Sequence, residues 1–499
     1  MKSRRNSIIC EGRQIGSADR YNLLVGRALW LAVLGVSACR PQVVAEPSAR
    51  EAEPAAALWV DASALEGGDG TEARPMKSLA AALGKAGARV HVRTGLYRGP
   101  FALPAGAELD GPESAVLFVE GGEGPVVTVA GDGRIAGVSL QGGAVGLASG
   151  GRVRAEGVHW SGQRQVAVEV RGGELELSRA DVRATVSEVI GVAVARGKVR
   201  IADSAFAGPF RRAVEGKGAE VEVTVERTRF TEAVTAVQLV GGRGHLRGLS
   251  ARGGRAAAVF VGTGGEVEID GLEVDGHEYA LLAREARVTA RAVTSRGAER
   301  AGIGLVKSRG RLEDVAVSGS GSSGAVEVVG GEVELRRFRI ERAGAYGVHA
   351  RSAKVVISDG EIDGVAAEGD GTQGDGVHLR DVKGTVERVA VRRAGGSGLV
   401  VAEASDVRAA ELVVERCRWG GVVVETLSTF AGKTIAARDC GGAALAVPTQ
   451  AVASVEGFTS ARNQEGAVWA ECGEGARVTL RGVTDDAPRP RPSCVRVER

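Results

Sequence analysis

Charged residues alternate with Val, Leu and Ile along most of this chain, and the alternation returns at a nearly constant interval. Gly173-Glu-Leu-Glu-Leu177, Glu220-Val-Glu-Val223, Gly265-Glu-Val-Glu-Ile269 and Gly331-Glu-Val-Glu-Leu335 are near copies. Their leading apolar residues, with those of the rungs between, read as Val153, Leu175, Val199, Val221, Leu246, Val267, Val288, Leu312, Val333 and Val355. The steps are 21 to 25 residues. A period of that size marks a solenoid.

One rung shows the internal logic. Within 331–350, Val333 and Leu335 alternate with charged residues, as do Phe338 and Ile340, and Gly347-Val-His-Ala350 forms a third short run. Period-two alternation means a strand with one buried face. Three such strands per coil, separated by glycines and polar corners, predict an all-β fold. It is a single-stranded, right-handed, three-sided parallel β-helix, because parallel connections are right-handed in nearly every case. A sandwich needs no strict period, and a propeller blade needs about twice this one. About fifteen coils at a strand spacing of ~4.8 Å would make a rod roughly 70 Å long.

The ends of such a column need covering. Residues 74–86 read as a short capping helix with Leu79, Leu83 and Ala86 on one face. At the other end, Cys472, Cys494 and the Pro-rich 485–492 stretch suit a C-terminal cap. The division is then 58–130 for the N-terminal cap and first coils, and 131–499 for the repeats and C-terminal cap.

Residues 1–38 read as an export signal with a long front end: Arg20 and Arg27 precede the apolar run 28–36 and the small residues Ser37 and Ala38. The run is too short to span a bilayer. Val36-Ser37-Ala38-Cys39 resembles the lipobox of bacterial lipoproteins, which implies a lipidated Cys39 as the mature N-terminus. Residues 39–57, rich in Pro, Ala and Glu, suit a flexible tether. Arg40 and Pro41 after the anchor imply, by lipoprotein analogy, the outer membrane rather than the inner. With Cys10 removed, Cys417, Cys440, Cys472 and Cys494 permit two disulfides in three connectivities. Cys417–Cys440 and Cys472–Cys494, each about one period apart, are the economical choice, with free buried thiols as the alternative.

Leu58-Trp-Val-Asp-Ala62, Gly67-Gly-Asp-Gly-Thr71, Pro75-Met-Lys-Ser-Leu79, Val90-His-Val-Arg-Thr-Gly-Leu-Tyr97 and Leu109-Asp-Gly111 resemble an uncharacterised module. It opens many secreted proteins of the pectin-lyase-like superfamily. Met76 stands where an aromatic is usual. The remaining chain resembles that superfamily only through its generic repeat. The resemblance implies the fold and export; the superfamily holds lyases, hydrolases, epimerases and adhesins, so it does not imply an activity.

Composition agrees with a core of small side chains: glycine, at 75 of 499 residues, is about twice its usual share, and aromatics make up 4%. The net charge of +2 falls near −2 once residues 1–39 are removed, leaving 58 basic and 60 acidic residues. No basic stripe with interleaved aromatics exists, which excludes a nucleic-acid partner.

Outward charges flanking each leading apolar position run Arg152/Arg154, Glu174/Glu176, Lys198/Arg200, Glu220/Glu222, His245/Arg247, Glu266/Glu268 and Arg287/Thr289. Alternating sign gives each strand opposite charge above and below, which disfavours register slips. This face reads as structural, since a groove for an anionic polymer should keep one sign.

The period breaks once, between Val355 and Val386, where 368–376 adds a Gly/Asp-rich loop with Glu368, Asp370 and Asp375. Beside it, Glu327, His349 and His378 occupy matching outward positions on successive rungs. Carboxylates with imidazoles suit acid–base work, or a metal held by Glu368, Asp370 and Asp375. The plain alternative is polar residues on a solvated strand beside an ordinary turn. Trp160, Trp419 and Trp469 are the candidate sugar platforms in the repeats. The sequence favours a non-catalytic envelope lipoprotein, a rod binding an envelope polysaccharide or protein partner without a cofactor. The competing reading is a polysaccharide-active lyase or hydrolase, with calcium possible only in that case.

Overall fold

The computed structural model describes residues 57–85, 88–367, 373–486, 490 and 492–498. Cys39, Glu368 and Asp370 lie outside the described residues.

Parallel strands wind into a right-handed β-helix of about 17 turns, against the fifteen expected. Each coil's strand pairs with its counterpart one coil later, so Val153 meets Leu175 and Leu175 meets Val199. Inward positions carry Val, Leu, Ile and Ala, and nearly all are buried. The few large side chains stack as the repeat dictates: Phe206 lies 5.4 Å from Phe230 on the next coil, ring centre to ring centre. In the middle coils the corners tighten so far that 301–320 and 324–344 run as continuous strands of 20 and 21 residues.

The N-terminal helix is shorter than expected and spans Leu79–Leu83, capped by Ser78, whose Oγ accepts from the Ala81 N–H at 3.2 Å. Leu79, Ala82 and Leu83 are buried; Ala86 lies outside the described residues. No helix among the described residues is long and apolar enough to cross a membrane.

Cys472 and Cys494 form a disulfide that ties strand 495–498 to the preceding coil. Cys417 and Cys440 do not form the second one. They are separate buried thiols on successive coils, with Sγ atoms directed to the backbone carbonyls of Glu415 (3.8 Å) and Arg438 (3.6 Å). The neighbouring thiol and burial push the Cys417 thiol up, so it stays protonated.

Register corrects the sequence reading at several coils. The inward partner of Val199 is Val223, not Val221. Val223 and Val267 face Gly244, Val288 and Val333 face Gly310, and Val355 faces Gly384. A two-residue slip preserves the in–out pattern, and a glycine in the inward column leaves no apolar marker. Leu246, Leu312 and Val386 were therefore read two residues too far along.

The charge ladder survives this shift. Arg152 pairs with Glu174 at 2.9 Å, Arg154 with Glu176 at 3.1 Å and Lys198 with Glu222 at 3.2 Å. These pairs are exposed, so each contributes ~0.2–1 kcal/mol. Their main effect is on register.

Candidate functional site

Glu327, His349 and His378 are register partners on three successive coils, as the spacing predicts. From Phe260 onward their outward column is otherwise apolar or small, whereas further upstream it holds Gln238, Glu215 and Glu169. Phe260, Leu282 and Gly304 precede them, and Val400, Val423, Ala446 and Trp469 follow. A carboxyl and two imidazoles are thus set into a weakly polar strip.

Asp375 departs from the expectation of a loop ligand. It opens strand 375–380, is buried, and stacks on Tyr346 of the coil before. Its Oδ2 lies 2.7 Å from His378 Nδ1, and its Oδ1 accepts the Ser397 N–H at 2.7 Å. Both oxygens are committed, so Asp375 orients His378. Among the described residues no group of three His, Cys, Asp or Glu is placed to hold a metal.

Aromatic rings frame the imidazoles. Tyr346 stacks on His349 at 4.6 Å and meets His378 edge-on at 5.2 Å, while the two imidazoles are 5.7 Å apart. Three coils before Tyr346, Tyr279 is buried under the Arg300 guanidinium, 5.5 Å from the ring centre.

These surroundings move two protons in opposite directions. Burial raises the Glu327 carboxyl above the usual carboxylate range, against Arg300 and Arg351, which lower it. Burial, with His378, Arg380 and Arg351 nearby, pushes His349 down to about 4, so its ring is neutral at neutral pH. His349 Nε2 is buried without a hydrogen-bond partner among the described residues. Opposed shifts in one cluster are a common mark of acid–base sites.

Tyr279, Tyr346, Arg300, Arg351 and Arg380 were not picked out from the sequence. The readable signal was the strand-opening column, where Tyr279, Tyr346 and Asp375 interrupt a run of Ala and Gly. Of the candidate sugar platforms, Trp160 is buried in the core, whereas Trp419 and Trp469 are 51% and 42% exposed.

Fold and site together define a right-handed parallel β-helix carrying a carboxyl–imidazole column on one face. No family model matches the chain, and no curated protein does. Solved structures similar to it include the mannuronan C-5 epimerase A-module of Azotobacter vinelandii, at 14% identity and a TM-score of 0.27, covering 82% of this chain and 93% of that one. An alginate lyase from Paenibacillus sp. is 15% identical with a TM-score of 0.25, covering 58% and 93%. Tailspike protein 3 of bacteriophage CBA120 is 10% identical with a TM-score of 0.29, covering 81% and 57%. Likenesses this distant bear on neither reaction nor substrate.

Proposed function

We propose that this protein is a polysaccharide-active enzyme that works through the Glu327–His349–His378 column, and that it acts as a lyase rather than a hydrolase. The observation that carries the reading is the Asp375–His378 pair, seated in register beside a neutral imidazole and a carboxyl that favours its proton.

With Nδ1–H donating to Asp375, His378 keeps Nε2 as a base. Glu327, holding its proton to higher pH than an exposed carboxyl, serves as the acid. In an elimination, His378 takes a proton from a ring carbon and that electron pair becomes a carbon–carbon double bond. The glycosidic carbon–oxygen bond breaks, and Glu327 protonates the leaving oxygen. Hydrolysis by paired carboxylates needs two free ones, and Asp375 is committed. Trp469, exposed at the far end of the same column, offers a stacking surface for a sugar ring.

Incubating purified protein with polysaccharides and following ultraviolet absorbance of unsaturated ends tests this. His378→Ala should lower the rate by about 100-fold or more, the usual worth of a positioned base. Asp375→Asn, a positioning change, should cost less. Reducing ends without unsaturation would turn the assignment to hydrolase.

The inter-coil ion pairs of the upstream ladder favour a second reading, the non-catalytic rod. Absence of any cleavage product in the screen decides for it. In either case we propose a lipid anchor at Cys39 and a place in the cell envelope, outer membrane rather than inner. Mass spectrometry of the membrane fraction tests this, and an unmodified Cys39 overturns it.

A further inference from the structure

The first face of each coil changes character between Arg287 and Arg408. From Arg152 to Arg287 the outward column alternates in sign at every coil. Arg309 then follows Arg287 directly, and Lys383 follows Lys354. Like charges directly opposed destabilise a sheet, so register gains nothing from either stack. Among the described residues, Arg309, Lys354, Lys383 and Arg408 make no ion pair.

The same stretch is hollow. A cavity of about 730 Å³ lies over it, lined by these cations together with Glu332, Glu334 and Asp406. Its floor follows from the two inward glycines. A Cβ at Gly310 would stand 2.8 Å from Leu305 Cδ1, and one at Gly384 2.7 Å from Val355 Cγ2. The backbone there lies closer to the core than a side chain would permit. Around one corner lies the acid–base column, because Lys354 and Lys383 follow three residues after Arg351 and Arg380.

We propose that this groove binds a linear anionic polysaccharide and feeds it to the His378 column, a substrate class that rests on the lyase reading above. Four cations without protein partners attract a polyanion. Glu332 and Asp406, set among them, accept hydrogen bonds from sugar hydroxyls and repel an unbroken phosphate backbone, while Glu334 is held by Arg311 and Arg336. No aromatic ring lines the groove, so nucleobases have nothing to stack on. Acidic groups on the sugars also complete the chemistry, since a carboxylate beside the ring carbon acidifies its proton once Arg351 neutralises the charge, Arg380 being held by Glu403.

Affinity electrophoresis and calorimetry of the full chain would test this with polygalacturonate, uncharged dextran and duplex DNA as probes. The expected result is retention by polygalacturonate that weakens with added salt, and none by dextran. Lys354→Gln/Lys383→Gln should weaken polygalacturonate binding about tenfold, with Lys354→Arg/Lys383→Arg restoring it. Unchanged binding by the Gln double variant overturns the proposal, as does equal or tighter binding of dextran or DNA. His378→Ala should still bind. If the protein binds polygalacturonate but never forms unsaturated ends, the groove stands and the lyase reading falls. If it cleaves with KM unaltered by the Gln double variant, the groove falls and the lyase reading stands.

Discussion

Two stretches of one face, built from the same strand geometry, use charge differently. Between Arg152 and Arg287 each outward charge meets its opposite one coil away, and ion pairs form at 2.9 to 3.9 Å. Between Arg287 and Arg408 two like-charge stacks interrupt the order, inward side chains are missing at Gly310 and Gly384 where the upstream stretch lacks one at Gly244, and the adjoining face buries ionisable groups. The upstream coils obey the rules of a stable sheet, and the downstream coils break several within a short distance. Clustered violations of that kind are where function is to be sought.

The largest effect expected from this contrast is on acid stability. Unfolded, the His349 ring titrates at 6.5; folded, at about 4. Between those values the unfolded chain holds a proton that the folded chain refuses. The stabilisation is therefore full above pH ~6.5, falls as pH drops towards ~4, and is gone below it, a loss of roughly 3 kcal/mol. Glu327 works in the opposite sense, because its raised carboxyl takes up a proton first in the folded state. Denaturant unfolding across this range should show a His349→Leu variant losing much less stability than the parent. An unaltered acid limb would place the sensitivity outside the downstream coils.

How much of this was legible depended on which residues mark the register. Fold, period and the Glu327–His349–His378 column could be read because valine and leucine label the inward positions, and equal spacing then aligns the outward ones. Gly244, Gly310 and Gly384 carry no such label, so the reading slipped by two residues at each. The slip hides the Arg287–Arg309 and Lys354–Lys383 stacks, so the sequence presents the whole face as structural. Asp375 was misread for a related reason: a Gly/Asp-rich run looks like a turn until pairing with Tyr346 shows that its end is strand. Cys417 and Cys440 share a column on neighbouring coils and their thiols interact, but they stay unbonded, the alternative that the sequence also allows.

Gly384→Val probes the groove floor. The added Cβ would meet Val355 Cγ2 at 2.7 Å and Val355 O at 2.8 Å. The second contact is with backbone, which cannot rotate away. Overpacking of this kind costs about 1–3 kcal/mol, and lifting the strand should also shallow the groove. Thermal unfolding should show a lower midpoint, and polygalacturonate affinity should fall with it. A full-stability variant would mean that the strand can move outward freely.

The smallest effect separates the two stretches most directly. Glu174 stands between Arg152 and Lys198 in the outward column, and its Oε2 is 2.9 Å from Arg152 Nε. Glu174→Lys removes that ion pair and sets three cations in a row, so stability should fall by about 1 kcal/mol, less in high salt. Lys383 stands between Lys354 and Asp406. Lys383→Gln removes one repulsion and one attraction together, so the change should stay within about 0.5 kcal/mol. Urea unfolding of both variants at low and high salt gives the comparison. Equal losses would mean that charge serves register in both stretches. A loss confined to Glu174→Lys leaves the downstream cations without a structural task and available to a ligand.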